Sequence, residues 1–184
     1  MKRLIAWNMV TLDGFFSAPD GNLDWFVFDD ELDKYIRETQ PQADTLVFGR
    51  VTYQMMASYW PTAEGDTATF MNGAPKYVFS RTLDKVDWTN SILVKGDAVA
   101  EVAKLKQQPG QSLLMYGCGP LAHTLMQHGL IDEFRFWLHP VVAGSGTHLF
   151  GDGNKATLNL VDTKTFSSGV IVLTYQPVKA GQAA

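Results

Sequence analysis

Over its first two-thirds this chain alternates short apolar runs with helix-like segments, and over its last third the alternation stops. Apolar runs at 3–10, 45–48, 76–80, 91–94 and 112–116 come with intervening stretches that carry helix start and stop signals. Residues 3–10 (RLIAWNMV) are apolar on both alternating faces, as in a strand covered on both sides. Strands joined by crossover helices pair in parallel. After Gly129 only strand-like runs remain, at 133–142, 158–166 and 170–176, which reads as an antiparallel last third. Ser167-Ser168-Gly169 joins the last two as a hairpin. The pattern predicts an α/β/α sandwich with a mostly parallel central sheet and antiparallel strands at its C-terminal edge.

Local chemistry sets the helix boundaries. Asp29-Asp30-Glu31 places acids at a helix start, where they suit the positive end of the dipole. Leu32, Tyr35 and Ile36 form its inward stripe, with Asp30–Lys34 and Asp33–Arg37 as pairs on the wet side. Pro41 ends that helix. Asp97 caps a later helix that stops before Pro109-Gly110, and Pro120 opens another that Gly129 closes. Residues 11–23 form a long loop with turn signals at Asp13-Gly14 and Pro19-Asp20-Gly21-Asn22. No repeat or linker interrupts the chain, so residues 1–178 read as one domain and 179–184 as a frayed tail.

Composition removes several classes of function. The chain has 184 residues, 15 Lys+Arg against 19 Asp+Glu, and a net charge of −4, which argues against a general nucleic-acid binder. A single cysteine, Cys118, excludes an internal disulfide framework and a Cys-rich zinc site. His123 and His128 are five apart, a spacing that does not share one metal-facing stripe, so no metal site is expected. No apolar run is long enough for a membrane helix. The N-terminus turns polar too early for a signal peptide, so the expected location is cytoplasmic.

Three motifs fall at the C-terminal ends of parallel strands, where open α/β sheets bind ligands. The strongest is Leu113-Leu114-Met115-Tyr116-Gly117-Cys118-Gly119-Pro120-Leu121-Ala122: a strand, then Gly-x-Gly-x-x-Ala, then a helix. Glycines there let backbone approach a pyrophosphate, and free N–H groups at a helix start favour an anion. The same residues also suit a tight turn with no ligand. The second is Phe48-Gly49-Arg50-Val51-Thr52-Tyr53, where an arginine at a helix start suits a phosphate. The third is Phe79-Ser80-Arg81-Thr82.

The order of these motifs, together with Leu12-Asp13-Gly14, Leu130-Ile131-Asp132-Glu133-Phe134 and His139-Pro140-Val141-Val142-Ala143-Gly144-Ser145-Gly146, resembles the dihydrofolate reductase-like family. Within it the chain is most similar to the C-terminal reductase domain of the bifunctional riboflavin biosynthesis protein, from about Lys2 to Gln176. The resemblance implies a dihydrofolate reductase-like fold that binds NADPH. It implies that Gly49, Arg50 and Thr52 hold the adenosine-side phosphates and that Ser80 and Arg81 flank the 2′-phosphate. Gly117, Cys118, Gly119, Pro120 and Leu121 would cradle the pyrophosphate. The region from Thr11 through Asp13 to Trp25 would cover nicotinamide and substrate, with Tyr53 and Trp60 beside the same cleft.

The implied activity is NADPH-dependent reduction of a small pyrimidine- or pteridine-like compound, similar to reduction of 5-amino-6-(5-phosphoribosylamino)uracil. A non-catalytic nucleotide-binding module and a true dihydrofolate reductase are the alternatives. Asp30, five residues after Trp25, is a candidate general acid if burial raises its pKa, and Asp13 is the other candidate, for binding a substrate hydroxyl or amine. Both also suit ordinary structural roles, as a helix-start acid and a turn former. The chain has no room for a deaminase domain before the first strand, so a single reductase domain is expected. The apolar residues Phe134, Phe136, Trp137, Val170, Ile171 and Val172 are more than one solvated face needs, which suggests a homodimer through the C-terminal strands.

Overall fold

A computed structural model describes residues 1–117, 119–151 and 155–178; Cys118 and the expected tail at 179–184 lie outside the described residues. In chain order the strands are β1 (Leu4–Thr11), β2 (Phe15–Ser17), β3 (Ala43–Gly49), β4 (Lys76–Phe79), β5 (Ser91–Val94), β6 (Ser112–Tyr116), β7 (Glu133–His139), β8 (Thr147–His148), β9 (Leu158–Thr165) and β10 (Ile171–Pro177). The helices are α1 (Asp30–Thr39), α2 (Arg50–Tyr59), α3 (Asp66–Gly73), α4 (Ala98–Gln107) and α5 (Pro120–Gln127). None of the helices among the described residues is long and apolar enough to cross a membrane.

Eight strands form one sheet in the order β5-β4-β3-β6-β1-β7-β10-β9. All pairs from β5 to β7 are parallel, and β10 runs antiparallel to both β7 and β9. The expected architecture holds, with one correction. The sequence pattern groups residues 133–139 with the antiparallel third, yet β7 pairs parallel to β1 from Ile5↔Glu133 to Thr11↔His139. The cause is α5, which carries the chain back to the N-terminal edge, so β7 starts beside the start of β1.

Strand alternation sorts the core into two layers. Leu4, Ala6, Val47, Leu113, Met115, Phe134 and Phe136 face one side, with Val102 and Leu105 of α4 and Leu125 of α5. Ile5, Trp7, Leu46, Phe48, Leu114 and Trp137 face the other, with Leu32 of α1, Tyr53 of α2 and Met71 of α3. In α1, Asp29 is the N-cap and accepts from the Leu32 backbone N–H at 2.7 Å. Of its expected surface pairs, Arg37–Asp33 forms, whereas Lys34 approaches Glu38 at 3.9 Å instead of Asp30.

The apolar residues expected to form a dimer surface are mostly used inside the monomer. Phe134, Phe136, Trp137, Val170 and Val172 are all buried, because β7 and β10 are interior strands and β9 forms the outer edge.

The N-terminal edge of the sheet is stapled by charge. Lys2 Nζ meets Asp44 Oδ1 at 2.7 Å and donates to Thr45 Oγ1 at 3.0 Å. Lys106 Nζ reaches Asp132, whose carboxylate also accepts from the Leu4 backbone N–H at 2.8 Å. Glu133 joins Arg3 and Arg135, each at 2.8 Å. Gly110 lies against the first staple with φ +132°, and a Cβ there would stand 2.2 Å from Asp44 Oδ2. Gly110→Ala should therefore cost about 1–3 kcal/mol, from strained backbone and a displaced ion pair. Urea unfolding at pH 7 checks this, against a Gly73→Ala control where a Cβ meets nothing within 4 Å.

Candidate functional site

The connections out of β3 and β6 leave in opposite directions. After β3 the chain moves outward to β4, and after β6 it crosses to β7 beyond β1. Such a reversal between neighbouring strands opens a crevice at their C-terminal ends. Two helices begin at this split. Gly49 is the N-cap of α2 and Gly119 the N-cap of α5, and neither helix start receives a side-chain cap. By contrast, α1 and α4 are capped by Asp29 and Asp97. The first N–H groups of α2 and α5 are thus left for another acceptor.

Glycine is needed at the split for specific reasons. Gly117 has φ +85°, and a Cβ there would lie 2.4 Å from Thr52 Oγ1. Gly119 has φ +118°, and a Cβ there would meet nothing within 4 Å, so its backbone angle alone requires glycine and the space beside it is open. A Cβ at Gly49 would touch Leu121 Cβ at 3.8 Å, which brings the two expected phosphate turns together. Pro120 is exposed at the first turn of α5. Arg50 is exposed and spends one N–H on Gln54 at 3.1 Å. Because Gly49 is in register with Phe79, Arg50 and Ser80-Arg81 leave adjacent strands at one level. Ser80 Oγ accepts from the N–H groups of Thr82 and Leu83, while Arg81 is exposed.

Beneath the split lies a cavity of about 40 Å³. Its walls are Trp7 and Asn8 of β1, Tyr116 of β6 and Trp137 of β7, with Met55 and Met56 of α2 alongside. Phe16 and Leu23, from the segment between β1 and α1, close it. Trp7 packs against Trp137 at 5.3 Å and edge-on to Tyr116 at 5.9 Å. Tyr116 Oη accepts from Gln40 Nε2 at 2.7 Å, and burial raises its pKa above the usual phenol value. The sequence alone does not single out Trp7, Asn8 and Tyr116 as cleft residues, and it reads Trp137 as part of a dimer surface. Met55 and Met56 read as core filler, whereas both line the cleft.

The expected substrate residues sit elsewhere. Tyr53 is buried on the far side of α2, its hydroxyl accepting from Trp88 N–H at 3.1 Å. That side holds a wider groove of about 990 Å³ between α2 and residues 82–89. Trp60 donates to Met56 Sδ at 3.0 Å and packs on Tyr59. Trp25 packs edge-on to His139 at 5.3 Å. None of the three lines the cavity.

Both candidate acids occupy structural positions. Asp30 is exposed on the first turn of α1, so the burial on which a general-acid role depends is missing. Asp13 is a staple. Its Oδ1 accepts from Thr11 Oγ1 at 2.6 Å and Ala143 N–H at 3.0 Å, and its Oδ2 accepts from Gly144 N–H at 2.7 Å. The Thr11 hydroxyl and these N–H groups hold its pKa down to about 2, so it is a carboxylate at any working pH. Thr11 also accepts from Phe15 N–H at 3.0 Å, which makes Thr11 and Asp13 one turn device at the start of the segment between β1 and α1.

His139 is fully buried at the end of β7. Its Nδ1 accepts from Val27 N–H at 3.2 Å, and burial lowers its pKa to about 4. No three His, Cys, Asp or Glu among the described residues are grouped to hold a metal.

The sheet order, the antiparallel edge and the glycine-lined split define a dihydrofolate reductase-like α/β domain. The RibD C-terminal domain family matches residues 2–172, and the chain belongs to that family. It is 37% identical over 180 residues to the uncharacterized protein YyaP of Bacillus subtilis (strain 168), covering 95% of this chain and 94% of YyaP. It is 30% identical over 171 residues to YwjB of the same organism, also uncharacterized, covering 92% and 95%.

Among solved structures, a protein of Shewanella sp. PV-4 assigned to riboflavin biosynthesis superposes with a TM-score of 0.75 at 24% identity, covering 96% of this chain and 99% of that one. A diaminohydroxyphosphoribosylaminopyrimidine deaminase/5-amino-6-(5-phosphoribosylamino)uracil reductase of Thermotoga maritima gives 0.69 at 14% identity, covering 96% of this chain and 57% of that one. A pyrimidine reductase-like protein of Corynebacterium diphtheriae gives 0.68 at 12%, covering 97% and 92%. At these identities the structures establish the shared fold.

The close approach at the split can be measured directly. Gly117→Ala should destabilise the protein by about 1–3 kcal/mol, and adding Thr52→Ala should restore part of that loss, since the clash is with Thr52 Oγ1. A double-mutant cycle in urea measures the coupling. For His139, the folded pKa of about 4 lies below the usual 6.5, so the unfolded chain takes up the proton first as the pH falls. Stability should be level above pH 6.5 and decline toward pH 4. His139→Gln should flatten that window in urea midpoints taken at pH 7, 5.5 and 4.5.

Proposed function

We propose that the protein is an NADPH-dependent reductase of a small heterocyclic substrate, pyrimidine- or pteridine-like in ring type. The observation that carries this reading is the pairing of two glycine-capped, side-chain-free helix starts across the β3–β6 split. The residues fit a dinucleotide. Gly117, Gly119, Pro120 and Leu121 would hold the pyrophosphate. Gly49, Arg50 and Thr52 would approach it from α2, and Ser80 and Arg81 would meet the 2′-phosphate from the end of β4. When bound, the cofactor supplies a hydride, that is, a proton's mass with two electrons, to a C=N or C=O carbon of the substrate and is left as NADP⁺.

The chain's own part is orientation and exclusion of water. Trp7, Tyr116 and Trp137 give flat apolar walls, and Phe16 and Leu23 shut the cavity. At about 40 Å³ it is far below the few hundred Å³ of a ligand pocket, so binding requires the 15–23 segment to move outward. Among the described lining residues Tyr116 is the one titratable group, and burial keeps its hydroxyl protonated. The proton that completes reduction at the substrate heteroatom therefore comes from water. The folate reading loses its main support here, because Asp30 is solvent-facing. Solution in the cytoplasm suits this reading.

Titration with NADPH and NADH, followed by tryptophan quenching, tests it. NADPH should bind more tightly than NADH. Arg50→Ala and Arg81→Ala should each weaken NADPH binding roughly tenfold to a hundredfold, the range for a lost charge-assisted phosphate contact. Arg81→Ala should also abolish the preference over NADH. Absence of quenching by either nucleotide would overturn the reductase reading.

A further inference from the structure

We infer that the substrate taken by this cleft is a flat, uncharged heterocycle bearing carbonyl acceptors, without a phosphate or carboxylate arm. The inference rests on the reductase reading above and narrows its substrate. It starts from three buried polar atoms with no partner in the protein: Trp7 Nε1, Trp137 Nε1 and Asn8 Oδ1. All three belong to residues that line the cavity, and these residues are 5%, 2% and 4% exposed. A buried polar atom left without a partner forfeits the hydrogen bond it made with water. Trp7 and Trp137 lie on one face of the sheet and Asn8 on the other, so the two indole N–H groups are the pair that one ring can meet. Both need acceptors. A ring bearing C=O groups supplies them, and the indole faces suit its flatness.

Charge supplies the second, independent observation. None of the described residues lining the cavity is Lys, Arg, His, Asp or Glu. The segment that closes it, residues 15–23, carries one charged side chain, Asp20, and Asp24, Asp29, Asp30, Glu31 and Asp33 follow it with no Lys, Arg or His before Lys34. The nearest cations in sequence beyond it are engaged, Arg37 by Asp33 and Lys34 by Glu38. An anionic arm on the substrate would meet this acidic run, and the cation beside the ring walls, Arg135 at 5.7 Å from the Trp7 ring, is already held by Glu133. Arg50 and Arg81, at the level of the helix starts, are already assigned to the cofactor's phosphates. A substrate such as the phosphoribosylated uracil named for the Thermotoga maritima enzyme therefore fits this chain poorly.

Two matched pairs of probes decide the matter. One is 5-amino-6-ribosylaminouracil with and without its 5′-phosphate; the other is 6-methyl-7,8-dihydropterin against 7,8-dihydrofolate. Each is offered to the NADPH-loaded protein, reading NADPH oxidation and the shift in melting temperature. At least one uncharged member should bind and be reduced, with kcat/KM about tenfold or more above its charged twin. Trp7→Phe and Trp137→Phe keep a ring but remove the N–H. With the melting temperature confirming a folded protein, each should lower kcat/KM for the uncharged probe about tenfold and leave NADPH affinity unchanged. A charged twin that works as well or better would overturn the inference and leave the reductase reading standing. So would NADPH-loaded protein whose melting is unmoved by both uncharged probes. Failure to bind NADPH at all would remove both readings together.

Discussion

The approach of Gly117 to Thr52 governs everything at the ligand end of this molecule. It sets how closely the start of α5 can lie to the start of α2, and so how wide the split between β3 and β6 can be. Any side chain at 117 would push the first turn of α2 away from β6. The two uncapped helix starts would then no longer face one crevice. Parallel pairing makes this arrangement possible, because it delivers the ends of β1, β3, β4 and β6 to one side.

The two ends of the sheet are built on opposite principles. At the N-terminal edge, Lys2–Asp44, Lys106–Asp132 and Glu133 with its two arginines bind strand starts to one another. Burial alone would raise the Asp44 pKa, yet contacts from Lys2, the Gln111 N–H and Thr45 outweigh it and hold the carboxyl low. Lys76 shows the same economy of satisfied charge. It is fully buried, but its ammonium donates to the carbonyls of Asn72, Ala74 and Thr89 and lies 4.5 Å from the centre of the Trp88 ring. Around the cavity and the end of β7, Trp7 Nε1, Asn8 Oδ1, Trp137 Nε1 and His139 Nε2 are instead left unmatched, and Ser91 Oγ at the start of β5 is the exception at the other end. Rigidity is concentrated at one end and unmet bonding capacity at the other, which is how a preorganised site differs from a core.

The fold is legible in the sequence because its signals are local. Asp29 and Asp97 announce helix starts, and Gly129 and Ser167-Ser168-Gly169 announce turns; each does its expected work. The glycines of the split are legible for the same reason, since φ above zero at Gly117 and Gly119 leaves a mark in residue type. The cavity walls are not. Trp7, Asn8, Tyr116 and Trp137 come from three strands and meet only through sheet register, such as Trp7↔Tyr116 and Asn8↔Phe136. On a strand covered on both faces, a cleft residue and a core residue look alike. Asp30 fails in the opposite way: its distance from Trp25 is suggestive, but a side chain on the first turn of α1 faces water. The pairing of β2 with β8 leaves no trace either, because two very short strands carry no period.

That small ribbon has a consequence for how the molecule comes into being. Phe15 pairs with His148 and Ser17 with Thr147, and Gly146 lets the backbones close so tightly that a Cβ there would stand 2.0 Å from the Ser17 carbonyl oxygen. Asp13 ties the same turn to Ala143 and Gly144. The cover of the cleft thus leaves the ribosome before its anchor, which is made more than a hundred residues later. Until that anchor emerges, Phe16 and the indole of Trp7 have neither a ribbon nor β7 to hide them. A nascent chain must carry this exposed aromatic surface while the residues between are made, and sealing it waits for residues 143–148.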